Sequence, residues 1–258
     1  MPAKVRAMST AGGAWRVAGE VILTQPKLVL SVFILYSLFY TPYYLTWLKL
    51  GPIATLNDDL NGYGRWIIEL AQGILCLPLT NAACRRVLLS EYADHPMWRS
   101  AVWRNRAFWV IAAVIFIVKV ITVEMTSTFG TGLLHRVIQS DTVVVLVQWL
   151  FWFAGLALGL TLWLLVPAAA VNATKPRIRS TIQGLNGQFW RLWFTWLLAS
   201  LPLWLPYYVF SFVTDRNANP SLMITVIYSL WVQLIGFVLV IVGATVMSIF
   251  YEATDRRR

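Results

Sequence analysis

Four tryptophan–arginine pairs, Trp15-Arg16, Trp98-Arg99, Trp103-Arg104 and Trp190-Arg191, carry the chemistry most readily read from this chain. An indole prefers the headgroup zone of a bilayer, and a guanidinium beside it can hold a phosphate through paired N–H donors. Trp98, Arg99, Arg104, Arg179, Trp190 and Arg191 are therefore candidate contacts for lipid phosphate, although general interfacial anchoring uses the same residues. A second set is polar and lies inside apolar runs: Glu69, Lys119, Gln148 and Gln233. An ionisable residue within a membrane span costs free energy and so invites a functional reading. Glu69 and Lys119 can pair across neighbouring helices or line a small polar cavity. Glu124 competes for Lys119, and a snorkelling lysine needs no function at all.

Other chemistry is missing. The two histidines, His95 and His135, fall on opposite sides of the topology derived below and cannot share a metal. Cys76 and Cys84 are eight residues apart on one helix, about 12 Å along its axis, too far for a disulfide. No metal-ligand spacing, phosphate-binding glycine loop or nucleophile elbow occurs. No enzyme activity and no cofactor are expected.

The elements that position these residues follow from composition. Of 258 residues, 59% are hydrophobic and only 12% charged, with a mean hydropathy of +0.66. A water-facing surface needs roughly twice that charge. Several apolar runs exceed the ~18 residues that mark a spanning helix. The fold class expected is an all-α membrane protein with six transmembrane helices, at about 28–48, 66–84, 107–124, 143–168, 192–213 and 222–250. Residues 1–27 form a cytoplasmic tail and interfacial helix, 28–252 the transmembrane domain and 253–258 a basic tail. The first run is long enough to span and lacks a small-residue cleavage site, so it reads as an uncleaved helix.

This topology divides the 21 lysines and arginines unevenly. Lys49, Arg65, Lys119, Arg136 and Arg216 fall on one side and all the others on the opposite side. That bias predicts both termini in the cytoplasm. It also accounts for the pI near 9.9 through contact with anionic headgroups, with no need of nucleic acid.

One motif is written twice, about 80 residues apart, as expected of a duplicated membrane unit. Pro96-Met97-Trp98-Arg99-Ser100-Ala101-Val102 runs through Asn105 into Phe108-Trp109, and Pro176-Arg177-Ile178-Arg179-Ser180-Thr181-Ile182 runs through Asn186 into Phe189-Trp190. Each copy reads as a short cytoplasmic interfacial helix whose closing Phe-Trp anchors the next span at the interface. Residues 14–25 have a similar amphipathic character and are expected in the headgroup layer, after a mobile stretch at 1–13. Outward spans beginning near 27, 107 and 188 then suggest three parallel pseudo-repeats.

Two stripes of small residues read as packing seams: Ser229, Gln233, Gly236, Val240 and Gly243 on the last helix, and Gly155 with Gly159 on the fourth. Pro202 and Pro206 mark the segment expected to bend most.

The segment Ser180-Thr181-Ile182-Gln183-Gly184-Leu185-Asn186-Gly187-Gln188-Phe189-Trp190-Arg191-Leu192, following Pro167-Ala168-Ala169-Ala170, resembles the signature of a broad group of bacterial membrane proteins. These are similar to the membrane domain attached to some glycerophosphoryl diester phosphodiesterases. The resemblance implies a multi-pass protein of the bacterial inner membrane in a lipid neighbourhood, and it transfers no catalytic residue.

Two function classes follow. One is a non-enzymatic lipid-binding scaffold or accessory subunit, with anionic membrane lipids and either a protein partner or a second copy as its partners. The other is a small transporter or channel in which Glu69, Lys119, Gln148 and Gln233 line the path. An intramembrane lipid enzyme ranks third, for want of a nucleophile or metal.

Overall fold

The computed structural model describes residues 7–47, 63–89, 106–127, 141–171, 188–215 and 222–255, and every element among them is helical. In chain order these are α1 (Ala7–Thr24), α2 (Pro26–Trp47), α3 (Tyr63–Leu89), α4 (Arg106–Ser127), α5 (Asp141–Trp163), α6 (Leu165–Ala170), α7 (Phe189–Asp215) and α8 (Leu222–Asp255). The helices α2, α3, α4, α5 with α6, α7 and α8 occupy the six apolar stretches. Two helical stretches, Phe153–Ala170 and Val226–Ala253, are long and apolar enough to cross a membrane. A third is added if α1 and α2, bent by 95° between Thr24 and Pro26, count as one broken span.

The long helix α8 is the axis of the fold, packing against α1, α2, α3, α6 and α7. Its buried side chains include Phe237, Ile241, Val242, Val246, Met247 and Phe250. Glycine spacing explains how neighbours come so close. A Cβ on Gly236 would lie 3.0 Å from the Tyr36 hydroxyl, and one on Gly243 would lie 3.1 Å from two ring carbons of Trp163. Phe237, next to Gly236, lies edge-on to Phe33 at 5.6 Å and to Tyr36 at 6.4 Å. The stripe expected on the last helix is thus a seam built to admit aromatic rings. Gly159 behaves differently: a Cβ there would meet nothing within 4 Å. It serves no close approach of helices, and this half of the second expected stripe is corrected.

Proline shapes two of the junctions. Pro26 starts α2 in the first-turn position that tolerates its missing N–H. Gln25 alone separates α1 from α2, its amide donating to the Val21 carbonyl and its carbonyl accepting from Val29, both at 3.0 Å. Between α5 and α6 the helix breaks at Leu164, and Pro167 lacks the N–H that would reach back to the Trp163 carbonyl. Every residue of α6 is buried, and the short helix is packed among α3, α4, α5 and α8.

The start of the chain departs from expectation. The stretch read as mobile is helical from Ala7, and α1 packs on α3, α7 and α8. Thr10, Ala11, Ala14, Ala18 and Val21 form its buried face. At three- and four-residue spacings, small alanines let this helix lay its apolar face close against its neighbours. The last helix also runs past its expected end at 250 to Asp255, giving about 51 Å of helix.

Candidate functional site

Three consecutive residues in the last turns of α3 tie it to three different helices. The Cys84 thiol points at the Ala244 carbonyl of α8, 4.0 Å away. Arg85 donates from Nη1 to the Ala170 carbonyl at 3.2 Å, capping the C-terminal end of α6, where a cation suits the helix dipole. Arg86 donates from Nε (3.2 Å) and Nη2 (2.8 Å) to Glu20 Oε2 of α1. Successive positions on a helix point about 100° apart, so one turn can serve three partners. Arg16 also approaches Glu20, at 3.6 Å, from one turn away on α1.

A second tie joins α1 to α7. The Trp15 indole N–H donates to the Ala199 carbonyl at 2.9 Å. Ala199 lies in the turn before Pro202, where the proline ring weakens the helical hydrogen bonds. Trp15→Phe keeps the ring and removes this donor. It is expected to cost about 1 kcal/mol, read as a lower unfolding temperature in detergent micelles. An unchanged temperature would show that the hydrogen bond to Ala199 contributes nothing measurable to stability.

The Trp190-Arg191 pair lies at the start of α7, and both residues are exposed, Trp190 to 58%. Its ring belongs to an aromatic group: Phe153 of α5 at 6.2 Å, Phe189 at 5.5 Å and Trp193 at 6.3 Å, with Trp193 also 5.8 Å from Phe153. The middle of α5 therefore meets the first turn of α7. From there an exposed stripe runs along α7 through Phe194, Leu198, Leu201 and Leu205 to Tyr208, whose ring sits 6.1 Å from Trp204. Trp190 and Tyr208 are eighteen residues apart on the same face. That is about 27 Å, close to the ~30 Å hydrocarbon thickness of a bilayer.

No protein-family model, curated protein or solved structure matches this chain.

Among the polar residues expected within the apolar runs, Gln233 is placed most fully. It is buried in the α8 seam and donates from Nε2 to Ser229 Oγ at 2.9 Å, one turn away. Glu69 lies on α3, Lys119 on α4 and Gln148 on α5, three separate helices. Trp98, Arg99, Arg104 and Arg179, with most of both motif copies, lie outside the described residues. Where the copies re-enter, they differ. Phe108 is 1% exposed and Trp109 half-buried, whereas Phe189 is half-buried and Trp190 exposed. Phe108 is therefore a core residue, with Trp109 packed in part against the same core, whereas Trp190 is the exposed member of the second pair.

Glu20, Trp15, Arg85 and Arg86 form contacts that residue spacing did not single out. One signal was available: Glu20 is the only carboxylate in the first 57 residues, amid a basic N-terminal segment. An isolated acid in such a segment has a partner to find.

Proposed function

We propose that this chain is a six-helix protein of the bacterial inner membrane, with both termini cytoplasmic and parallel pseudo-repeats joined by interfacial helices. It acts without catalysis, as a lipid-binding scaffold or an accessory subunit of a membrane complex. Trp98, Arg99, Arg104, Arg179, Trp190 and Arg191 hold anionic lipid phosphates at the cytoplasmic face. The likeness to the membrane domain of glycerophosphoryl diester phosphodiesterases fits this reading.

The observation that carries it is the exposed stripe of α7. A row of apolar side chains bounded by Trp190-Arg191 at one end and Trp204 with Tyr208 at the other suits acyl chains between two headgroup layers. Similar exposed rows occur elsewhere, as Leu30, Ile34 and Leu38 on α2 and as Val110, Val114 and Ile117 on α4. Soluble monomers rarely expose apolar surface on this scale. The transport reading is less well supported, because Gln233 faces a packing seam and bonds within its own helix.

Mass spectrometry of the protein released gently with its native lipids tests the proposal. Wild-type protein is expected to retain an anionic lipid class. Each basic residue near an anionic surface contributes about 1 kcal/mol, so Arg99→Ala, Arg179→Ala and Arg191→Ala together should lower retention roughly a hundredfold. Circular dichroism should show the fold intact. Unchanged retention would reject the phosphate role, and loss of folded protein would make the arginines structural anchors. A stoichiometric protein partner would single out the accessory-subunit form.

A further inference from the structure

We infer that α1 is a hinged strap, able to lift from α3, α7 and α8 as a unit while those helices remain folded. The inference does not depend on the lipid reading.

Three independent features support it. The first is the pivot: Gln25 is the only residue between two helices set at 95°, and Pro26 lacks the N–H that would bond back to Ile22 across the junction. Rotation about a single residue can then move α1 without disturbing α2.

The second is the weakness of α1 itself. Gly12, Gly13 and Gly19 lie within it, and a Cβ at any of them would meet nothing within 4 Å. Glycine lowers helix stability relative to alanine and is normally retained in a helix where close packing requires it. Gly236 and Gly243 of α8 meet that requirement; these three do not. The buried face of α1 is also built largely from Ala11, Ala14 and Ala18, which bury little apolar area each. The core of α8 is held by Phe237, Ile241, Met247 and Phe250. Regions with few large buried contacts open before the rest of a protein.

The third is the latch. Specific polar ties hold α1 down, among them Glu20 to Arg86 at 2.8 Å and Trp15 to the Ala199 carbonyl at 2.9 Å. The Glu20 side chain is 35% exposed, so water reaches the ion pair. A polar latch on a weak helix beside a one-residue pivot is the construction of a strap.

Hydrogen exchange on the full chain in detergent micelles tests this directly. Amides of residues 8–24 are expected to exchange through a local opening, faster than those of residues 237–250 by at least about tenfold. Arg86→Glu should speed the exchange of α1 about tenfold, since it replaces attraction by repulsion, and leave α8 unchanged. Glu20→Arg in the Arg86→Glu background restores the pair with its charges swapped and should return α1 to its original rate. Gly12→Ala with Gly19→Ala, which introduces no clash, should slow α1 alone. Exchange of α1 at the rate of α8 in the native protein would overturn the inference. So would a loosening of the whole bundle by Arg86→Glu that the charge swap does not repair.

Discussion

Gly243→Leu is expected to lower stability by about 3 kcal/mol, the upper end of what overpacking a tight core typically costs. The reason is geometric. The first added carbon would already stand 3.1 Å from two Trp163 ring atoms, closer than comfortable van der Waals contact, with the Trp196 indole nitrogen at 3.8 Å on the same side. An isobutyl group cannot fit unless the Trp163 ring leaves its place on α8. Trp163 is the last residue of α5, immediately before the break that leads to buried α6. Displacing it therefore strains the connection that sets α6 among its neighbours. Gly159→Ala is the control, since its Cβ meets open space. It should leave stability unchanged or raise it by a few tenths of a kcal/mol through better helix propensity. Denaturant unfolding in detergent micelles, followed by tryptophan fluorescence, reads both variants. Equal effects from the two would show that the seam is looser than the 3.1 Å contact implies.

The contrast between these glycines marks how far the sequence could be read. Apolar runs longer than ~18 residues locate long helices whatever they pack against, so α2 to α8 fall close to the stretches expected from hydropathy. Residue spacing also shows which side chains share a face of a helix. It does not show whether that face has a neighbour: Gly243 and Gly159 are both glycines in regular stripes, and only Gly243 has a ring against it. The first turns of α1, Ala7 to Gly13, read as a mobile tail for a related reason, although the helix over 14–25 is expected. Ala11-Gly12-Gly13 has the composition of a loose tail, and tertiary packing against α7 and α8 overrides that local preference. The arginines show the same limit in electrostatic terms. Counting charges assigns Arg85 and Arg86 to one side of a membrane along with fourteen other basic residues. Their work depends on an acceptor on α6 and a carboxylate on α1, 85 and 66 residues away in sequence.

Polar residues in the apolar helices are explained mostly by their own backbone. Thr80, Thr161, Thr195, Thr245 and Ser248 each donate to the carbonyl four residues earlier. A hydroxyl satisfied within its own helix can be buried at small cost and exposes no polar group to a neighbour. These residues therefore give no evidence of a solute path. Asn81 differs: it is buried on α3 and its Oδ1 has no hydrogen-bond partner among the described residues.

Phe108→Ala and Trp190→Ala should have opposite consequences, although the two residues close the two copies of one motif. Phe108 is fully enclosed, near the start of α4, and belongs to the same core as Leu79, Leu164 and Phe250. Removing its ring leaves a cavity as well as losing buried apolar area, and such truncations cost about 3–5 kcal/mol. A marginally stable helical bundle would lose much of its folded population at growth temperature. Trp190 is 58% exposed and touches its aromatic neighbours along part of its surface, so its loss should cost about 1 kcal/mol of fold stability. Its effect should appear at the membrane interface. If Trp190 fixes the depth of α7, Trp190→Ala will shift the bilayer boundary seen by spin labels placed along the exposed stripe, while Phe108→Ala in surviving folded protein will not. Unfolding in detergent micelles and label accessibility in reconstituted bilayers separate the two effects. Equal destabilisation by both variants would mean that Trp190 is held by the core after all. Similar short segments can thus differ in role, because sharing residues does not mean sharing neighbours: Phe108 is buried where Phe189 is half-buried, and Trp109 is half-buried where Trp190 is exposed.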